Sequence, residues 1–110
     1  MADVLTKQKT EAVSSAVSWD TTKVSGQTDA MHASGKTRML RVEFTMRNAA
    51  ASGNVTIGTI AEGHRPASDY RYIVRVGDEL KAMSFGADGV IYITAPSAKT
   101  YIACLTYLVP

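Results

Sequence analysis

With 110 residues, 45% of them apolar and 20% charged, the chain has enough material for one domain with a real core and too little for two. A formal charge of +2 does not by itself point to nucleic acid or to an acidic lipid surface, and a single cysteine excludes an intrachain disulfide framework. No apolar stretch approaches the roughly 20 residues that span a bilayer, so no membrane insertion is expected.

The first twenty residues contain Asp3, Lys7, Lys9 and Glu11 and no unbroken apolar block, so no signal peptide is expected. Within them, residues 2 to 16, "ADVLTKQKTEAVSSA", form the one segment compatible with a helix. Val4, Leu5, Gln8 and Ala12 fall near one face, but the stripe is thin and the paired serines weaken it. The segment is read as a short helix, a strand of a neck, or a leader that orders beside a partner. Residues 1–16 are accordingly set apart as a neck or docking segment from a head spanning 17–110.

After Trp19 the pattern changes to short β-rich runs divided by Gly, Asp, Asn and Ser. "AMHASGKT", residues 30 to 37, matches a relaxed phosphate-loop pattern, but the residues after Thr37 alternate as a strand, not as a helix. Ser34-Gly35-Lys36 is therefore read as a hairpin turn. In residues 37 to 48, Leu40, Val42, Phe44 and Met46 point one way and Arg41, Glu43, Thr45 and Arg47 the other, the signature of a half-buried antiparallel strand. A loop, "AAASGN", and a second strand, "VTIGTI", come next. "NVT" at Asn54 has the spelling of a glycosylation sequon and, with no secretory signal expected, carries little meaning. "GTIAEGHRP", residues 58 to 66, is read as a corner in which Gly63 and Pro66 set the backbone. "DYRYIVRV" alternates again, with Tyr70, Tyr72, Val74 and Val76 opposite Arg71, Ile73 and Arg75. Gly77-Asp78 is expected to turn the chain, and Asp88-Gly89 to join "KAMSF" to "VIYIT" through a two-residue turn.

The final run, "TYIACLTYLV", is apolar on both faces. Tyr101, Ala103, Leu105, Tyr107 and Val109 line one; Ile102, Cys104, Thr106 and Leu108 line the other. "VIYIT" shows the same property. A chain of this size has one core to offer, so the second face is read as a subunit interface formed by Ile102, Cys104, Thr106, Leu108, Ile91 and Ile93. The alternative is a central sandwich strand covered by a loop. In either setting Cys104 is read as a buried small hydrophobe and not as a nucleophile. About seven or eight short strands at roughly 8–12-residue spacing predict an all-β antiparallel sandwich or jelly roll.

Motifs for chemistry are sparse. His32 and His64 have no His or Cys companions at metal-ligand spacing, so no metal is expected. The ten carboxylates are scattered, and no local motif selects a catalytic pair. Arg41 and Arg47 share one wet face, Arg71 and Arg75 another. Interleaved arginines and aromatics can bind single-stranded nucleic acid, but Glu43 and Asp69 interrupt the charge, and Tyr70 and Tyr72 lie on the opposite face.

"VTIGTIAEGHRP" resembles an element in the C-terminal head domains of tailed-bacteriophage tail fibres and baseplate receptor-binding proteins. There a strand ending "IGTIP" or "IGTLP" leads into "EGYRP" or "AGYRP". The upstream "VSWDTTKVSG", the central "ADGVIYI" and the final apolar strand are similar too, so the resemblance covers about Val17 to Val109. Ala61 stands where Pro is common and His64 where Tyr is common. The resemblance implies a trimeric β-sandwich at the tip of a virion tail appendage, attached to other tail or baseplate proteins and recognising bacterial surface polysaccharide. It implies no catalytic residue and no cofactor. Saccharide contacts would come from polar or aromatic loop residues, for which the candidates are Trp19, His32, His64, Arg65, Asp69 and Tyr72. Structural roles compete at each of them, with Trp19 as core, Arg65-Pro66 as the turn, and His32 and His64 as loop or strand-end histidines with ordinary hydrogen bonds. Two other expectations stay open: a purely structural trimeric virion protein, and a β-barrel that binds nucleic acid through its arginines.

Overall fold

The structure is a computed structural model and describes residues 10–110, all of whose regular elements are antiparallel strands. In chain order these are β1 (Glu11–Val13), β2 (Val17–Trp19), β3 (Val24–Ser34), β4 (Thr37–Met46), β5 (Asn54–Ile60), β6 (Tyr70–Val76), β7 (Glu79–Phe85), β8 (Val90–Thr94) and β9 (Thr100–Leu108). They form a four-stranded sheet in the order β1-β3-β4-β9 and a five-stranded sheet in the order β2-β5-β8-β7-β6.

The two sheets enclose a single core, and the alternation along the strands decides what enters it. From β4 come Leu40, Val42, Phe44 and Met46; from β9 come Tyr101, Ala103, Leu105 and Tyr107. Ile57, Ile60, Val74, Val76, Met83, Phe85, Ile91 and Ile93 come from the other sheet. Each fully buried aliphatic or aromatic side chain is worth roughly 1.5–3 kcal/mol. A one-residue slip of β4 would turn its whole set to solvent, so the register is firmly specified. Phe44 and Tyr101 stack with ring centroids 5.3 Å apart and planes 2° from parallel, and Trp19 tilts onto Phe44 at 5.5 Å.

Two turns form as the sequence predicts. Ser34 pairs with Thr37 across Gly35-Lys36, and Val76 with Glu79 across Gly77-Asp78. In each, the glycine is the first central residue and has positive φ (+58° and +60°), the requirement of a type II′ hairpin turn. The phosphate-loop spelling is thus strand, turn and strand.

Other expectations need correction. The turn between β7 and β8 spans four residues, not two: the Gly86 N–H donates to the Val90 carbonyl (2.9 Å) and the Gly89 N–H to the Gly86 carbonyl (2.8 Å). The Asp88 carboxylate accepts from the Val90 N–H at 3.0 Å and closes this wider loop from within. The described residues form nine strands because β1 and β2, three residues each, come from the N-terminal region. Residues 10–16 are not helical: β1 pairs with β3 along Glu11–Val13, and Ala16 is fully buried. The paired serines that weaken a helix are the reason. Ser14 and Ser15 make a turn, with Ser15 at φ +53°, that carries the chain from one sheet to the other. A division at residue 16 therefore cuts through packed structure; the remainder of the expected neck, residues 1–9, lies outside the described residues.

Candidate functional site

The residues proposed from sequence for saccharide contact are dispersed. Trp19 closes one side of the sandwich, where its indole Nε1–H donates to Asp29 Oδ1 at 2.9 Å and its ring packs on Phe44. Opposite Trp19 stands Gly58, where a Cβ would lie 2.9 Å from the Ser18 carbonyl oxygen, so the close approach of β2 to β5 requires glycine. Tyr72 is half-buried against the core, and His32 is exposed on the outer face of β3, opposite Met39.

His64 and Arg65 lie in the corner "GTIAEGHRP", which is tied to both sheets. The Arg65 Nε–H donates to the Ile60 carbonyl at 2.9 Å, and Gly89 lies so close that an added Cβ would meet Arg65 Nε at 2.5 Å. From the other side, Arg38 Nε–H donates to His64 Nδ1 at 2.9 Å, and the Tyr107 hydroxyl donates to the His64 carbonyl at 2.7 Å. An imidazole that accepts at Nδ1 carries its hydrogen on Nε2. Arg38 also donates to the carbonyls of Gly35 and Thr37, so this buried guanidinium is satisfied within the fold. Burial pushes the Tyr107 phenol up to about 12, with the Arg38 charge pulling the other way. Burial likewise raises Tyr101, whose hydroxyl is hydrogen-bonded to the backbone of Ser97. The corner is a joint, and the His64 and Arg65 side chains are occupied in holding it.

Asp69 is the candidate that borders the most polar of the concavities. Its Oδ1 accepts from the Ala87 N–H at 2.9 Å and ties the approach to β6 to the β7–β8 turn. The two segments form one wall of a cleft of about 290 Å³ on the five-stranded sheet, lined by Asp69, Tyr70, Arg71, Ser84, Asp88 and Tyr92 among others. Register places Arg71 opposite Ser84 and Ser84 opposite Tyr92, so three adjacent strands deliver these side chains in one row. Sequence reasoning passes over Arg71 as part of a solvated face and does not select Ser84 or Tyr92. Strand parity is legible there, but the pairing of β6, β7 and β8 at this register is not. Arg38 is missed as well, although it shares the inward parity of Leu40 and Val42 in β4.

The expected subunit interface divides in two. Ile102, Cys104, Thr106 and Leu108 are exposed on the outer side of β9, with Ile102 at 50% and Leu108 at 61% of full exposure. Met39, on the neighbouring strand, is exposed as well, and an apolar groove of about 390 Å³ runs between β3, β4 and β9, bordered by Ala30, His32, Met39, Arg41, Cys104 and Thr106. No loop among the described residues covers this face, so the covered-strand alternative is set aside: β9 is an edge strand. Cys104 is exposed, and not the buried hydrophobe its surroundings in sequence suggest. Ile91 and Ile93 are a correction of the opposite kind. Both are fully buried in the core, and the outward side of β8 is Val90, Tyr92 and Thr94.

The arginines of the two wet faces lie apart, Arg41 on β4 of one sheet with Arg47 just past its end, Arg71 and Arg75 on β6 of the other. Arg41 pairs with Glu43 at 2.8 Å, and the Nε–H of Arg47 donates to the carbonyls of Thr21 and Val24. Among the described residues, no three His, Cys, Asp or Glu side chains gather as metal ligands, and no helix is long and apolar enough to cross a membrane. Comparison of the chain with protein-family models and with curated proteins finds no match.

Proposed function

We propose that this chain is the non-enzymatic receptor-binding head of a bacteriophage tail fibre or baseplate. On this reading it trimerises, joins other tail proteins at the tip of the virion, and holds bacterial surface saccharide during host adsorption. The observation that carries the reading is the uncovered apolar side of β9 with Met39 beside it, which a monomer has no reason to keep in water. The resemblance of the sequence to phage head domains gives this surface its context, and the all-β sandwich is the scaffold that the resemblance implies. Three copies of a weak sugar site gain avidity when held together.

The same apolar surface supports a second reading, a trimeric tail or decoration protein without a sugar site, and the dispersal of the six sequence-selected residues favours it. Nucleic-acid binding has less support, since the arginines lie on opposite faces and offer no continuous track. Sedimentation equilibrium at micromolar concentration is expected to give a trimer, and a monomer overturns the assembly. Binding of the labelled protein to bacterial cells, competed by their purified polysaccharide, is expected of the receptor-binding head; a trimer that binds no cells leaves the structural reading.

A further inference from the structure

We infer that the cleft on the outer face of the five-stranded sheet is a binding site for a neutral sugar ring, the exposed end of an uncharged surface saccharide; the inference rests on the receptor-binding reading. Arg71, Ser84 and Tyr92 form its floor, Asp69 and Asp88 its rim, and Tyr70 stands at its side, between it and a separate hollow lined by Thr106 and Leu108 of β9.

The rim is built before any ligand arrives. One carboxylate oxygen of Asp69 accepts from the Ala87 N–H, one of Asp88 accepts from the Val90 N–H, and each acid keeps its other oxygen. A side chain at Gly86 would run into the Asp88 carboxylate, so the turn is shaped around that group. A rim held by its own backbone loses little freedom on binding.

The floor has groups to spare. Among the described residues the ion pairs are Arg41–Glu43, Lys81–Glu79 and Lys99–Glu79, which leaves Arg71, Asp69 and Asp88 without a charged partner. Ser84 is only 8% exposed, yet it adds no sealed unpaired atom, so its hydroxyl opens into the cleft. A pyranose presents hydroxyls that donate and accept, together with an apolar C–H face. The cleft offers acceptors at Asp69 and Asp88, donors at Arg71, a hydroxyl at Ser84 that does both, and the aromatic surface of Tyr92. Its size, about 290 Å³, is at the small end of ligand sites, which suits a terminal sugar and not a long chain. Two carboxylates against one guanidinium disfavour a uronic acid, a sialic acid or a phosphate.

The test is a titration of the ¹⁵N-labelled protein with the methyl glycosides of glucose, galactose, rhamnose and N-acetylglucosamine, with methyl glucuronide as the anionic comparison. At least one neutral glycoside is expected to shift the amides of residues 69–71 and 84–92, and the glucuronide is expected to bind more weakly. Arg71→Gln and Tyr92→Ala are each expected to weaken binding about tenfold, the loss of one good polar or stacking contact. Arg71 is exposed, so the first variant keeps its unfolding midpoint and serves as the control should the second disturb β8. Shifts confined to another surface, stronger binding of the glucuronide, no response to any neutral glycoside, or full affinity in Arg71→Gln would each overturn the site. If wild-type protein binds cells and Arg71→Gln binds them equally, this site fails while the receptor-binding reading stands; if wild-type binds no cells, that reading fails first.

Discussion

β8 and β9 look alike in sequence and differ in the fold. Each is apolar on both faces, and each suggests a strand covered on both sides. β8 runs between β5 and β7 at the middle of the five-stranded sheet, with Ile91 and Ile93 fully buried and Val90, Tyr92 and Thr94 half-covered on the outer side. β9 is the edge of the four-stranded sheet. Its inner side chains fill the core, while Ile102 and Leu108 on its outer side keep half or more of their surface in solvent. Two-sided apolarity thus has two meanings. In a central strand, neighbouring strands and their side chains use up much of the second face; in this edge strand that face is left exposed, and it is the surface on which the proposed assembly rests.

The comparison can be broken most forcefully at β8. Ile93→Ala is expected to destabilise the isolated chain by about 2–5 kcal/mol, read from chemical unfolding, because the cavity opens inside the core. Ile102→Ala on β9 is expected to change the stability of the monomer by no more than about 0.5 kcal/mol. Equal effects at the two positions would erase the distinction between them.

Charge placed on β9 sharpens it further. The double variant Ile102→Arg, Leu108→Arg is expected to leave the monomer folded and to dissociate the proposed trimer in sedimentation experiments, since like charges would face each other in an apolar contact. A trimer unaffected by both substitutions would move the interface elsewhere.

The inner side of β9 is buried in the core just as β8 is, and Tyr107 reports on it through pH. The ordinary phenol titrates near 10 in the unfolded chain and at about 12 in the folded one, raised by burial. The stability due to the neutral phenol is therefore complete below pH 10 and is lost as the pH rises through 12. Tyr107→Phe is expected to flatten that alkaline loss and, by leaving the His64 carbonyl without its donor, to cost about 1 kcal/mol at neutral pH. Unfolding midpoints measured from about pH 8 to about pH 12 check both effects.

The smallest effect is expected in the segment that joins the two strands. Ala95 sits at φ +47° while its N–H donates to the Gly53 carbonyl at 2.8 Å. Ala95→Gly relieves the left-handed strain and is expected to stabilise the chain by at most about 1 kcal/mol, since glycine also loses more freedom on folding. A drop in thermal midpoint would mean that the Ala95 methyl contributes more packing than the strain costs.

Much of the architecture is legible in the sequence. Leu40 to Met46 and Tyr101 to Val109 announce their inward faces, and Gly35 and Gly77 announce their turns, because a period of two and a positive φ are properties of the local chain. The candidate site is not legible in the same way. His64 and Arg65 stand out as polar residues in a loop, but Arg38, Tyr107 and Gly89, which occupy or crowd them, arrive from three distant strands or turns.

By itself the sequence determined the class of fold, the inward faces of β4, β6 and β9, and the absence of a disulfide framework, all of which follow from local pattern and composition. Tertiary structure alone decided which two-faced strand is central and which is an edge. It also set Arg71, Ser84 and Tyr92 in one row and made residues 11–19 strand, turn and strand at the seam of two sheets. The physical reason is that strand neighbours are chosen by burial over the whole chain. Alternation says which side of a strand is apolar, but only the packed sheets say what lies against it.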